Sequence, residues 1–343
     1  MPISEYAYIS AKVSAMKSFL LDASTLKAMA EAKSPEDALS ILKNTPYGRE
    51  LAKSSPSLMD VERVLTTSLV RDYEKISKPL IGTARIFMEQ YAKKFETASI
   101  KTLIIMKVSG EKLREYPWIP FKTMTDSMIE RLLHTETLEE LIEMLKLTEY
   151  YPILRKVLSE YKAESAYSFI AALDKYVYGE LGSIMGAMRG KDKEMTNSLI
   201  GAEIDAKNLI AALRLRGAEE KIFKDCLVPY RYKLDDAALR TLFETKRISE
   251  LIPQLPGMPY GEIILQGIKE YEKTGAFFQL ELSFRKYLLR ISKQAFQSDR
   301  FHIGVPIAYL NLKENEVRNI TAILTAKEAG LSASETEDLV IIA

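Results

Sequence analysis

The chain is poor in the residues on which catalysis and metal binding usually rest. Among 343 residues there is one cysteine, and there are two histidines. One cysteine allows no internal disulfide, which fits a reducing compartment. Cys226 sits in the apolar stretch IFKDCLVPY, where a small buried residue is the expectation rather than a reactive thiol. With His134 in RLLHTET and His302 in DRFHIG as the only imidazoles, no His/Cys metal cluster can be built. Neither is accompanied by a G-x-S-x-G elbow that would complete a nucleophilic triad. Net charge is also missing, since 48 basic and 47 acidic residues leave +1. Bulk charge therefore gives no footprint for nucleic acid or for a membrane surface. No apolar run approaches the ~20 residues that span a bilayer, and TLIIM at 102–106 and LVIIA at 339–343 are among the longest. The opening MPISEYAYISAK lacks the basic start and apolar core of a signal peptide.

Strand signals are scarce as well. Alternating patterns and Asn-Gly or Asp-Gly hairpin turns are essentially absent, and what fills the chain is helix. With 47% hydrophobic and 28% charged residues it has the composition of a globular protein, and its length suits about two or three domains. LEELIEMLKL places Leu138, Leu141, Ile142 and Leu145 on one helical face. DVERVLTTSLVRDYEKI does the same with Val61, Val64, Leu65 and Leu69, with Asp60 as the predicted N-cap. SPEDALSIL carries a start signal, with Ser34 as cap, Pro35 at the first helical position and Asp37 at the third. The pattern predicts an all-α fold of about fifteen helices.

An internal repeat organises these helices. SPEDALSILKNTPYG, TLEELIEMLKLTEYY and RISELIPQLPGMPYG each place a leucine (Leu42, Leu145, Leu255) five residues before a tyrosine (Tyr47, Tyr150, Tyr260). Successive tyrosines lie 103 and 110 residues apart. A second anchor follows each at 55, 58 and 59 residues: Thr102 in SIKTLIIM, Asn208 in DAKNLIAAL and Asn319 in EVRNITAIL. The period of roughly 105–110 residues exceeds that of the short helical solenoids. It predicts three similar helical bundles over residues 1–117, 118–229 and 230–343, with breaks near EYPWIP (Glu115–Pro120) and VPYRYK (Val228–Lys233). Each tyrosine is expected to turn a corner between two helices and to fold its ring onto the preceding leucine. Thr45 and Pro46 make a good helix start, and Thr148 with Glu149 an acceptable one. Met258 replaces the cap of the third corner, which should be the least well satisfied.

The remaining motifs read as structure. GELGSIMGAMRGKD (Gly179–Asp192) fails the phosphate-loop spacing and follows a helical pattern; Gly182, Gly186 and Gly190 share a face that would allow close helix approach. Glu203 and Asp205 recur as Glu314 and Glu316, which implies a shared structural task of solvation or of capping a helix start. Thr102, Asn208 and Asn319 are each expected to make a side-chain hydrogen bond within a bundle. Arg214 and Arg216 read as a solvated helix end. No catalytic, cofactor-binding or metal-ligating residue is predicted.

Four stretches in order give the pattern a relative. YAYISAKVSAMKSFLL, ILKNTPYG, IGAEIDAKNLIAALRLRG and IAYLNLKENEVRNITAILTAKEAGLSASETEDLV resemble the C subunit of the archaeal-type (A-type) rotary ATP synthases, the counterpart of the d subunit in V-type ATPases. The resemblance covers essentially the whole chain. It implies a funnel of three helical bundles with neither catalytic site nor cofactor. It also implies a peripheral protein on the cytoplasmic face of the membrane, held through the rotor ring, whose partners are that ring and the central-stalk subunits. Its task would be to couple ring to stalk, so that ion flow drives ATP synthesis elsewhere. The Gly179–Gly190 segment and the PYG tips are candidate contact edges. A helical adaptor unrelated to ATP synthesis is the alternative that the repeat alone allows.

Overall fold

The computed structural model describes residues 3–51, 57–110, 121–161, 166–274, 277–297 and 299–342. Apart from an isolated bridge between Phe121 and Met124, every regular element among them is helical. The first seven helices are α1 (Ile3–Lys17), α2 (Ala23–Glu31), α3 (Pro35–Leu42), α4 (Gly48–Leu51), α5 (Leu58–Ser77), α6 (Gly82–Tyr91) and α7 (Lys93–Ser109). Then come α8 (Asp126–Leu133), α9 (Leu138–Met144), α10 (Tyr151–Tyr161), α11 (Ala166–Ala187) and α12 (Gly190–Thr196). A π-turn at Asn197–Gly201 leads into α13 (Ala202–Arg214), followed by α14 (Glu220–Cys226) and α15 (Asp236–Glu244). A 3₁₀ stretch at Ile248–Gly257 precedes α16 (Gly261–Thr274), α17 (Phe278–Gln294), α18 (Gly304–Glu328) and α19 (Ala333–Leu339). Nineteen described α-helices exceed the predicted fifteen; α4, α12, α14 and α19 span two turns or fewer, too short for a 3.6-residue period to declare itself.

Local signals set the starts. The Ser34 hydroxyl accepts the Asp37 N–H at 3.1 Å and Pro35 opens α3, as its pattern predicts. For α5 the cap is Ser57 and not Asp60. Asp60 is the third helical residue, and each side chain accepts the other's backbone N–H at 3.0 and 3.2 Å. Two orphan amides are thus satisfied where a lone cap would satisfy one.

Internal packing divides the chain into two compact units. One comprises Met1–Arg85, Lys112–Ile129 and Ser292–Ala343; the other comprises Ile86–Glu111 and Glu130–Ile291. In the first, α18 lies against α1, α2, α3, α5 and α19. Most of its length is buried, from Val305, Ile307 and Leu310 to Ile320, Ile323 and Leu324, and the buried set includes the polar Lys313, Asn315, Glu316 and Asn319. In the second, α11 packs on α7, α10 and α14, and α13 on α14 and α15. Its core includes Leu209, Leu213, Leu239, Leu242, Leu251 and Ile264, with Phe223 stacked on Phe243 at 4.1 Å. The predicted break at Glu115–Pro120 lies outside the described residues.

Candidate functional site

The three tyrosine corners are built on one backbone pattern. The leucine carbonyl closing each approach accepts an N–H three residues on: Thr45 to Leu42 at 3.0 Å, Thr148 to Leu145 at 2.8 Å, Met258 to Leu255 at 3.0 Å. Three further residues on, the next N–H returns: Gly48 to Thr45, Tyr151 to Thr148, Gly261 to Met258. Each tyrosine carbonyl then accepts the first bond of the following helix, from Leu51, Leu154 and Ile264. The Thr45 and Thr148 hydroxyls add a bond to the same leucine carbonyl, at 2.6 and 2.7 Å. Met258 has no hydroxyl to give, so the third corner is the least satisfied, as predicted.

The same corner differs in strain. Tyr260 stands at φ +61, a left-handed conformation that costs a non-glycine residue about 1–2 kcal/mol. Its approach is the 3₁₀ stretch containing Pro253 and Pro256. These prolines lack the N–H that an α-helical ladder needs, whereas α3 and α9 reach their corners as α-helices. The PYG glycines follow from crowding: a Cβ on Gly48 would lie 1.9 Å from the Lys43 carbonyl oxygen, and one on Gly261 2.0 Å from that of Leu255.

The tyrosines do something the sequence pattern did not predict. The leucine joins the corner through its carbonyl, while each tyrosine hydroxyl donates to a buried carboxylate on a long helix. Tyr150 donates to Glu96 of α7 at 3.0 Å and Tyr260 to Asp205 of α13 at 3.0 Å. Tyr47 donates to Glu316 of α18. Burial, and then the neighbouring carboxylate, holds all three phenols well above their ordinary pKa, so each remains a donor. Asp205 and Glu316 are buried, which replaces the expected solvation or helix-start capping. Asp205 also accepts the N–H groups of Tyr232, Lys233 and Leu234, at 3.2, 2.7 and 3.2 Å. Burial nonetheless raises its carboxyl above the ordinary range, with these bonds opposing the rise. Glu316 accepts the Leu21 N–H and pairs at 3.0 Å with the buried ammonium of Lys313, which also donates to the Tyr47 hydroxyl.

One helical turn beyond two of these carboxylates comes the second anchor. Asn208 accepts the Val228 N–H at 2.8 Å and returns its amide to the Val228 carbonyl at 3.2 Å. Asn319 treats Ile341 alike, at 3.0 and 2.8 Å. Acid–x–x–Asn is thus a working unit in α13 and α18: the acid holds a tyrosine, the asparagine an extended segment. Thr102 departs from it, donating to Ala98 one turn back on its own helix.

A lattice of half-buried charge reinforces the second unit. Asp174 of α11 lies between Lys101 of α7 and Lys207 of α13, the latter at 3.0 Å. Burial opposes its ionisation, but the two ammoniums outweigh this and hold its carboxyl below the usual range. Glu203 joins Lys94 at 2.9 Å and the Tyr178 hydroxyl at 2.6 Å. In the glycine segment Gly182 serves packing: a Cβ on it would lie 2.8 Å from the Tyr230 ring, so its neighbour is the VPYRYK segment and not another helix, whereas a Cβ on Gly186 or Gly190 would meet nothing within 4 Å. Arg214 is exposed at the end of α13, as expected, where it lies over the rings of Tyr167 and Phe277 and pairs with Glu281 at 2.9 Å. His302 is buried, whereas His134 is exposed and its ring nitrogen contacts the Glu130 carbonyl at 2.7 Å. Burial pushes the Cys226 thiol up to about 11. Among the described residues no group of three or more His, Cys, Asp or Glu could hold a metal ion, and no helix is long and apolar enough to cross a membrane.

Residues 9–339 match the family model described as ATP synthase (C/AC39) subunit. The chain belongs to this family. Within it, the chain is similar to the C subunit of the A-type ATP synthase of Methanocaldococcus jannaschii, 30% identical across 99% of this chain and 87% of the relative. The corresponding A-type proteins of Pyrococcus abyssi and Pyrococcus horikoshii are 26% and 27% identical, each over 98% of this chain and 90% of their own length. The family match runs from α1 to the end of α19, so all three corners and the acid–x–x–Asn units of α13 and α18 fall within it.

Proposed function

We propose that this family member is a non-catalytic central-stalk subunit that joins a membrane rotor ring to the central stalk of an A-type ATP synthase and couples their rotation. The match over residues 9–339 carries the reading, together with relatives named as the C subunit over nearly the whole chain. In this reading the protein is peripheral, held at the cytoplasmic face of the membrane through the ring, and catalysis belongs to other subunits. The physical character of the corners suits the task. A part that transmits torque must not creep, and charge-assisted hydrogen bonds are about twice as strong as neutral ones and shorter.

The threefold division into 1–117, 118–229 and 230–343, and the funnel it implies, belong to the same proposal. In its support, three corners share one backbone pattern, and each tyrosine is held by a carboxylate from a different repeat: Tyr150 by Glu96, Tyr260 by Asp205, Tyr47 by Glu316. The repeats then interlock instead of standing as separate beads. The test is ATP-driven ion pumping by membranes from cells lacking the chain. ATP hydrolysis by the head should persist while pumping is lost, and the ring and stalk proteins should co-purify with the restored chain. Pumping at the wild-type level without the chain would overturn the reading.

A further inference from the structure

The three corners share a backbone but not a surface. Over residues 136–149 the middle corner sets Glu136, Glu139, Glu140, Glu143 and Glu149 against Lys146 alone. The equivalent stretch 33–46 balances Lys33 and Lys43 against Glu36 and Asp37, and 246–259 carries Lys246 and Arg247 against Glu250. The middle corner also exposes apolar side chains: Leu147 is 101% exposed and Met144 38%. Asn44 and Gly257 occupy the position of Leu147 in the other two corners, so the turn itself does not require a leucine there. Met144 and Leu147 lie within one turn of each other and both face water, and at Leu147 the same fold elsewhere uses a polar residue or glycine, which makes this corner a candidate contact edge.

The surroundings state the chemistry of that contact. Helix α9 buries Leu138, Leu141 and Ile142, which turns Glu139, Glu140, Glu143 and Met144 outward. Beside them lies an open cleft of about 720 Å³ whose walls include Glu130, His134, Glu140, Glu143 and Met144, with Arg131 the one arginine or lysine among them. Glu149 is engaged by Lys93 at 2.7 Å and Glu143 by Arg155 at 3.6 Å, while Glu136 and Glu139 are exposed. We infer that the α9 corner is a docking surface for a cationic amphipathic helix of a partner protein, its lysines or arginines meeting the glutamates and its apolar face covering Met144 and Leu147. An anionic lipid surface would be repelled by the same charges, and helix-in-groove recognition places apolar anchors at i, i+3 and i+4 among charged neighbours. The surface does not depend on the coupling role, and it lies at the one corner without a PYG triplet.

A photo-crosslinking amino acid replacing Leu147 in the full chain, expressed in its own cells, tests this, with the same group at Asn44 as control. The expected product is a peptide from another protein, rich in Lys and Arg, with apolar residues at helical spacing. That peptide, synthesised and titrated against the full chain at low ionic strength, should bind about tenfold more weakly to Glu139→Lys/Glu143→Lys and to Leu147→Asn. It should lose less than about twofold against Glu36→Lys/Asp37→Lys. Leu147→Asn installs the first corner's own residue, so folding is preserved in that variant. No product above the Asn44 control, a product with lipid, with a second copy of this chain or with an acidic peptide, or equal binding by all variants would each overturn the inference.

Discussion

The first and third corners hold the same tyrosine against a buried carboxylate, yet they compensate that carboxylate in opposite ways. Glu316 faces a full positive charge, Lys313, itself buried. Asp205 gathers three backbone amides instead. A carboxylate can be kept in a dry interior either by a counter-ion or by oriented dipoles. The difference lies in what remains when the acid is removed: a stranded cation in one case, unpaired neutral amides in the other.

The comparison is broken most severely at Glu316. Glu316→Gln should cost about 3–5 kcal/mol, because Lys313 becomes an unpaired buried charge. Asp205→Asn, which leaves only amides poorly matched, should cost about 1–3 kcal/mol. Opening free energies of α18 and α13 amides from hydrogen exchange read the two locally. Adding Lys313→Met to Glu316→Gln should recover much of the loss; a double variant no better than the single would refute the cation argument.

Glu62 sharpens the contrast by having neither form of compensation. It is buried on α5, and among the described residues neither cation nor amide is bonded to it. Burial, and then the charge of Glu328, raises its carboxyl to about 7. Below pH ~4.5 both folded and unfolded chains carry the proton and the group contributes nothing. As pH rises to about 7 the unfolded chain loses its proton first, so stability falls, by about 3 kcal/mol once both forms are ionised. Glu62→Gln should therefore stabilise the first unit at pH 8 and leave it unchanged near pH 4, as urea midpoints at the two pH values would show. A variant that stabilises equally at both would break the assignment.

The asparagines come next. Asn208→Ala and Asn319→Ala each leave a buried N–H unpaired, while the facing carbonyl keeps Arg231 in the first case and Asn315 in the second; each should cost about 1–3 kcal/mol in amide protection of the segments they hold. Smallest are the threonines: Thr148→Val removes one hydroxyl bond and Thr45→Val two, to the Leu42 carbonyl and from the Tyr47 N–H, and each should cost about 1 kcal/mol, bringing those corners to the state in which the third already exists. Thermal unfolding indistinguishable from wild type would mean the hydroxyls do not matter there.

Helix content was legible because period and caps are local, as at Ser34 and across Leu138–Leu145. Tyr47, Tyr150 and Tyr260 were visible as recurring positions. Their partners were not, since nothing near residue 47 points to residue 316. Buried Glu316 and Lys313 look in sequence like any solvated helix pair, which is why the acids read as surface groups. The true start of α5 was missed because Asp60 carries a cap residue's chemistry at the third helical position. The left-handed turn at Tyr260 depends on how a proline-bearing 3₁₀ stretch delivers the chain, which a tyrosine alone does not announce.

The asparagine clasps give this helical protein something a sheet protein would recognise. Beyond α19, Val340 and Ile341 are apolar and buried, and Val340 is extended at φ −108 and ψ 153. Asn319 gives Ile341 the donor and acceptor that a neighbouring strand would give, with Asn315 adding a second amide at 3.1 Å. An extended apolar segment with unused backbone groups is a template for other chains. By occupying Ile341, two side chains give its backbone the pairing that a neighbouring strand would supply.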